Sequence, residues 1–442
     1  MTPFTPIFTS SFCTSLVPLR ALLARSRSRS LRSFNPAPYT KSRTFTFSPA
    51  VMATTNGISK DSIEAQAKHI TNGDVKVNNW THPGPAAFDF RSDVVTTPTS
   101  SMLAAIASTS LLDDVFQMDP TTLSLERFIA DLTNKPAALL VLSGTMGNQV
   151  ALRTHLLAPP HSVVTDHRSH IINWEAGGVS SLTGAMTIPV VPANGRYLTL
   201  EDIKKSAVVS DDIHACPTKV ISLENTLNGI ITPLAEMQRI SAWAKEHGII
   251  MHLDGARLWE AVASGAGSLI EYCDCFDSVS LCFSKGLGAP IGSIIIGTEK
   301  FRERARWVRK SIGGGLRQAG VVTAAARVAV EETFLGGKLK ASHDMARRIE
   351  AMWTSYGGKL ANPVETNMVW FDLEAAGISV EDFIKLGDKA GLRLLGGRLV
   401  VHYQVGEEAV QRLDKLMKAV LKGEELDGKV KYDPVSLAIN VE

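Results

Sequence analysis

Five short apolar runs rich in β-branched residues punctuate the middle of the chain, and they constrain the fold more than any other feature. They are 137–144 (AALLVLSG), 219–226 (KVISLENT), 248–256 (GIIMHLDGA), 278–284 (SVSLCFS) and 291–297 (IGSIIIG). Continuous apolarity over so few residues predicts strands buried on both faces, and the intervening stretches carry helical periodicity. Alternation of the two predicts βαβ units around a mostly parallel central sheet, an α/β architecture. In TPLAEMQRISAWAKEHG, Pro233 suits a first helical position and Gly248 the position just past the end. Leu234, Met237, Ile240 and Ala244 then share one stripe, which packing on the sheet fully explains.

Near Phe334 the pattern changes. ETFLGGKLKASHDMARRIEAMW reads as a linking helix, followed by a strand in TNMVWFDL, a helix from about Ser379, a strand in LRLLGGRLVVHYQV and a last helix over 407–421. These elements predict a smaller α+β domain at the C-terminal end. The expected division is a leader over 1–59, a linker over 60–88, a large domain over 89–333 and a small domain over 334–442.

The formal net charge of +2 conceals an asymmetry: the first 59 residues hold seven of the 46 basic side chains and no acid. The remainder carries 39 basic against 44 acidic side chains, a formal charge of −5, so a basic footprint for nucleic acid is absent. No run of eighteen apolar residues indicates a membrane span. The Arg- and Ser-rich stretch LVPLRALLARSRSRSLRSF has the composition of a mitochondrial transit peptide, with a disordered extension as the alternative. Translation from Met52 would omit it and leave the product in the cytosol. Five cysteines in a chain of this length read as thiols of a reducing compartment. Cys273 and Cys275 in YCDCF would point to opposite faces if extended, and no second Cys/His pair follows, so no metal site is expected.

Three placements carry chemistry. Lys285 sits between a serine and two glycines directly after an apolar run, where an ammonium is costly unless paired or neutralised; a surface turn is the plain alternative. Asp254 ends a strand where ligands of open α/β sheets gather, and would otherwise serve as a helix N-cap. LSGTMGNQ turns from strand to helix with backbone N–H groups and the helix dipole facing whatever lies ahead, which favours a phosphate, or is simply a loop. Together they describe pyridoxal phosphate chemistry. A lysine condenses with the cofactor aldehyde, an acid keeps the pyridine nitrogen protonated, and a helix start grips the phosphate.

The ordered motifs FDFRSDVVTTPT, DDVFQMDPTT, LSGTMGNQ, HIINWEAGG, LENTLNG, HLDGARLW, FSKGLGAPIGS and GGGLRQAG resemble those of the low-specificity L-threonine aldolases. The resemblance runs from about Asp89 to Leu421 and implies the pyridoxal-phosphate-dependent transferase fold, fold type I. It implies that Lys285 holds the cofactor, Asp254 faces its ring nitrogen, Gly144 and Thr145 hold its phosphate, and His170 lies over the ring. Arg257, with a place beside the cofactor, would join Ser92 and Arg398 in holding the substrate carboxylate. Lys310 and Arg317 match positions that enter a neighbouring subunit's site, and the family's assembly implies a homotetramer, a dimer of dimers. The implied reaction is retro-aldol cleavage of L-threonine or L-allo-threonine to glycine and acetaldehyde, with His170 as the base for the β-hydroxyl.

Two departures stand out. Leu227 occupies a place where the family often has histidine, and Phe116, Gln117 and Met118 replace a usual Tyr-Gly-Glu. They leave the stereochemical preference open, and an alanine racemase of the same family is the nearest alternative. A non-catalytic binding protein on this scaffold would be expected to lack the lysine, aspartate and glycine turn that this chain retains.

Overall fold

The structure is a computed structural model that describes residues 80–426. The leader over 1–59, most of the expected linker and residues 427–442 lie outside the described residues.

Seven strands form the central sheet: β1 (Ala137–Val141), β2 (Ser162–Asp166), β3 (Met186–Val190), β4 (Thr218–Glu224), β5 (Ile250–Gly255), β6 (Ser278–Cys282) and β7 (Ser293–Gly297). Their order is β1-β7-β6-β5-β4-β2-β3. Neighbours from β6 through β3 are parallel, whereas β7 runs antiparallel to both β6 and β1. The reversal has a geometric cause, since the link over 283–292 is too short to house a crossover helix. All five expected strands are present. The sequence reading missed β2 and β3. β2 is a five-residue run, and β3 is a partly exposed edge strand carrying Pro189, which only an edge tolerates.

Side-chain alternation builds two layers. Ala138 and Leu140 of β1 join a core with Leu125 and Ile129 of the helix Pro120–Leu132 and with Met237, Ile240 and Ala244 of the helix Leu234–Glu246. Leu139 and Val141 face the other way, onto Val150 and Ala151 of the helix Gly144–His155 and Ala305 of the helix Glu299–Ser311. Met237 and Ile240 are fully buried, each contributing roughly 1.5–3 kcal/mol of hydrophobic stabilisation.

The C-terminal strands β8 (Leu360–Asn362), β9 (Met368–Phe371) and β10 (Arg398–Val400) form an antiparallel sheet of order β10-β9-β8. Its core stacks Trp353 on Phe371 at 4.0 Å between ring centroids and 9° between planes. Phe88 and Phe90 belong to this core. Backbone bonds stitch the same segment to the C-terminal chain, with Phe90 N–H donating to Arg393 (2.9 Å) and Val400 N–H to Phe90 (2.8 Å). That seam delivers Ser92 and Asp93 to the edge of the cleft.

Two local expectations differ. The linking helix is broken: a wide helical turn over Val330–Leu335 ends at Gly336, Gly337 adopts φ 77°, and a new helix spans Lys338–Ser355. Left-handed backbone at Gly337 suits glycine and stops the ladder. Cys273 is helical in Leu269–Asp274 and Cys275 caps that helix, so YCDCF is not extended. Both thiols are buried and free.

The helix Gly144–His155 lies tight on the sheet. A Cβ on Gly147 would overlap Ser280 Oγ of β6 and stand 3.2 Å from Ile295 Cγ2 of β7. Gly147→Ala gains about 1 kcal/mol in helix propensity, but overpacking outweighs it, for a net loss of about 1–2 kcal/mol. Urea unfolding should show a lower midpoint at unchanged slope.

Candidate active site

The carboxyl ends of β4, β5 and β6 meet at one level. Glu224, the last residue of β4, pairs with Asp254 of β5, which in turn pairs with Ser280 of β6. β6 continues through Phe283 and Ser284 to Lys285, whose carbonyl accepts from Thr96 Oγ1 (2.8 Å) and from Gly288 N–H (2.9 Å). The glycines that follow are sterically required: a Cβ at Gly286 would stand 2.5 Å from Glu260 Oε1, and Gly288 adopts φ 86° against the Tyr403 hydroxyl. Lys285 is therefore held by a tight turn, and one side of it lines a small void with Asp93, Arg257, Glu260, Cys282 and Leu339.

Asp254 is buried and makes no ion pair among the described residues. Its Oδ1 accepts from Ala256 N–H (3.0 Å) and its Oδ2 from Asn148 Nδ2 (2.7 Å). It is not a helix N-cap, because the next helix, Leu258–Ala263, begins after Arg257. A buried carboxylate with neutral partners on one side calls for a cation on the other. A protonated pyridine nitrogen meets that demand.

Behind Asp254 runs a buried polar chain. Asn148 Nδ2 also donates to Glu175 Oε1 (2.8 Å), so both its protons go to carboxylates and its Oδ1 must accept. His252 Nε2 lies 3.1 Å from that oxygen and therefore carries a proton. His252 Nδ1 then accepts from Ser278 Oγ (2.8 Å), and Ser278 Oγ accepts from His155 Nε2 (2.8 Å). Burial depresses His252 to about 3 and His155 to about 4. Both are neutral at physiological pH, as this proton order requires.

His170 opens a short helix, Ser169 preceding it, and its Nδ1 bonds Glu175 Oε1 at 2.9 Å. That bond raises the His170 pKa against the opposing effect of burial, with Asp254 adding to the rise. The nearest ligating atoms of His170, Glu175 and Asp254 lie within 4.8 Å of one another. The His170 amide donates to Glu224 Oε2 (2.8 Å). Burial, and then the charge of Asp254, push the Glu224 carboxyl up, which favours its protonated form; Lys285 works in the opposite sense.

Across the cleft, Arg257 grips Asp93 in a fork, Nε to Oδ2 at 2.9 Å and Nη2 to Oδ1 at 2.6 Å. Burial alone would raise Asp93, but the Arg257 charge and hydrogen bonds hold it at about 2. Arg398, the first residue of β10, donates to the Arg91 carbonyl at 3.0 Å. Burial and then the neighbouring Arg257 charge lower its pKa. Ser92 adjoins Asp93 and caps the short turn Asp93–Val95. Ser92, Arg257 and Arg398 thus gather around Asp93, with one arginine already committed to it.

At the phosphate turn, Ser143 caps the helix Gly144–His155 by accepting from Met146 N–H (3.1 Å), and its carbonyl takes Gly147 N–H (3.0 Å). The amides of Gly144 and Thr145 point ahead of the helix, as helix geometry dictates, and suit an anion. Lys310 and Arg317 do not line the cavity beside Lys285. Lys310 is exposed at a helix end, and Arg317, 56% exposed, pairs with Asp113 (2.7 Å) and lies 5.8 Å from the Phe116 ring centroid. Leu227 is buried and bridges Ile230, while Phe116 is 71% exposed and Gln117 adopts φ 55°. Sequence reasoning gave no role to Asp93, Asn148, Glu175, Glu224 or His252, although all five lie inside the motifs it singled out.

The fold and this donor set define a pyridoxal-phosphate-dependent enzyme of fold type I. The chain belongs to the beta-eliminating lyase family, whose sequence pattern matches residues 89–376. It is 62% identical over 351 residues to aldolase vrtJ of Penicillium aethiopicum, covering 79% of this chain and 90% of that protein. It is 45% identical over 356 residues to alanine racemase TOXG of Cochliobolus carbonum, covering 79% and 92%. It is also 45% identical over 349 residues to the low-specificity L-threonine aldolase of Eremothecium gossypii, covering 79% and 90%. Among solved structures, Leishmania major threonine aldolase superposes with a TM-score of 0.64 at 22% identity, covering 75% of this chain and 99% of that one.

The Asp93 carboxyl is depressed from 3.8 to about 2, so its stabilising contribution is complete above the higher value and is lost as pH falls through the lower. Asp93→Asn strands the buried Arg257 charge and should cost about 3–5 kcal/mol at neutral pH. In urea unfolding at stepped pH, the gap between wild type and variant should narrow only at the acid end; a pH-independent gap would contradict the ion-pair assignment.

Proposed function

We propose that the protein is a pyridoxal-phosphate-dependent aldolase that cleaves L-threonine and L-allo-threonine to glycine and acetaldehyde. The observation that carries the reading is the buried, cation-free Asp254 carboxylate at the level of Glu224, with Lys285 delivered by a glycine-bounded turn from the neighbouring strand. Lys285 would hold the cofactor aldehyde, Asp254 the ring nitrogen, Gly144 and Thr145 the phosphate, and His170 would face the ring. When bound, the cofactor supplies an electron sink for the bond broken at the substrate α-carbon.

The chain's own residues do the rest. Arg398 and Ser92 hold the substrate carboxylate, and Arg257, immobilised by Asp93, supplies a fixed positive charge beside them. Fixing that carboxylate orients the Cα–Cβ bond for cleavage. His170 accepts the β-hydroxyl proton on Nε2, and Glu175 on Nδ1 strengthens it as a base. Burial and the Asp254 charge push the Glu224 carboxyl up, which works against a second negative charge next to Asp254.

A homotetramer in which Lys310 and Arg317 act in the neighbouring subunit's site belongs to the same proposal, supported by the exposure of both side chains. Mitochondrial targeting by the leader, or a cytosolic product from Met52, is proposed on the composition of the first 59 residues. A large domain over 89–333 and a small one over 334–442 belong to the same proposal; two cores support two domains, although Phe90 packs in the C-terminal core and Leu339 in the central one.

Alanine racemisation is the second reading, favoured by the 45% identity to TOXG. A panel of threonine, allo-threonine, phenylserine, serine and alanine separates the two. Acetaldehyde from the threonines with no D-alanine is the expected result, and D-alanine without acetaldehyde would overturn it. Lys285→Ala should abolish both the visible absorption band of the purified protein and the activity. Glu175→Gln should lower kcat/KM about 10–100-fold. Loss of the Glu175 hydrogen bond lowers the His170 pKa, so the acid limb of the pH profile should move to lower pH; an unmoved limb would remove His170 as the base.

A further inference from the structure

One buried group beside the phosphate turn is unused by the proposed reaction. Ser293 opens β7 and pairs with Val141 of β1 on one side and Cys282 of β6 on the other. Those two strands run out into the Gly144 turn and the Lys285 loop, so Ser293 stands between both. Ser293 is 0% exposed, and its Oγ has no hydrogen-bond partner among the described residues. Other buried hydroxyls of the sheet are employed: Ser278 serves His252 and His155, and Thr165 donates to Ser169. An unpaired hydroxyl in a sheet interior is destabilising and calls for a partner.

Its position beside Gly144 identifies the partner. Ser293 Oγ lies 3.9 Å from the point where a Cβ on Gly144 would stand, at the start of the helix Gly144–His155. Ser143 occupies the Met146 and Gly147 amides, which leaves the amides of Gly144 and Thr145, at the start of the same helix, for a ligand. We propose that the Ser293 hydroxyl is a further cofactor-binding group, donating to the phosphate monoester held by the Gly144 and Thr145 amides. The inference rests on the assignment of pyridoxal phosphate to this cleft. Donation from β7 closes the cradle on the sheet side and fixes the cofactor relative to the Lys285 loop, which leaves the adjacent strand.

The test is cofactor affinity, read by visible absorption as resolved enzyme is titrated with pyridoxal phosphate and, separately, with pyridoxal. Ser293→Ala should raise the Kd for pyridoxal phosphate about tenfold and leave that for pyridoxal unchanged. The 31P resonance of the loaded enzyme should shift, and Ser293→Thr, which keeps the donor, should restore the affinity. Cofactor-free Ser293→Ala should melt no lower than cofactor-free wild type, because it loses only an unsatisfied group. Unchanged affinity for pyridoxal phosphate, or equal losses for both compounds, overturns the assignment of Ser293 while leaving the cofactor assignment intact. Wild-type protein that takes up no pyridoxal phosphate overturns both.

Discussion

The Asn148 amide is the interaction on which the site depends. Two buried carboxylates, Asp254 and Glu175, share its Nδ2 at 2.7 and 2.8 Å. One neutral amide giving one proton to each holds both side chains in place, provided that it cannot flip. His252 prevents the flip by donating to the amide oxygen, and Ser278 and His155 fix His252 in turn. Both histidines are held neutral by burial, so this chain of hydrogen bonds adds no charge of its own behind Asp254.

The opposite wall is set by a different device. Residues 88–93 pair with the chain near Arg393 and Val400 and bury Phe88 and Phe90 in the C-terminal core. Asp93 then reaches back to Arg257, which follows β5 of the central sheet. One ion pair therefore joins elements of the two sheets, and its low-pKa carboxylate gives it a defined charge across the physiological range. The arginine in the fork loses freedom that Arg398 keeps, so the two arginines are not equivalent in binding an anion, despite both being candidates by residue type.

How much of this was legible follows from where each signal resides. Lys285, Asp254 and the Gly144 turn could be read because each is locally anomalous: a cation, an anion and a cluster of small residues at the ends of apolar runs. β7 could be placed as a strand, but its antiparallel sense lay in the length of the link from β6, not in composition. Asn148 and Glu175 could not be given roles, since their meaning is a contact 27 residues apart in sequence and, for Asn148 with Asp254, 106 apart. The Arg257–Asp93 pair, 164 residues apart, was hidden for the same reason. An arginine after a strand looks alike whether free or committed. The exposed Lys310 and Arg317 lie at the other limit, because their proposed place is in a second copy of the chain.

What distinguishes bond cleavage from racemisation on such a scaffold is the placing of proton acceptors, since the electron sink serves both. Retro-aldol cleavage needs one base near the β-hydroxyl; racemisation needs a proton removed from one face of the α-carbon and returned to the other. His170 is half-exposed and strengthened by Glu175, as a base reaching outward to a side-chain hydroxyl should be. Leu227, at the end of the β4 loop, offers no second acceptor and spends its backbone on Ile230. Glu224, whose carboxyl burial and Asp254 push up, accepts from the His170 amide and so anchors the start of the histidine's helix. The asymmetry between the half-exposed His170 and the apolar Leu227 sets where a proton acceptor can meet a substrate side-chain hydroxyl.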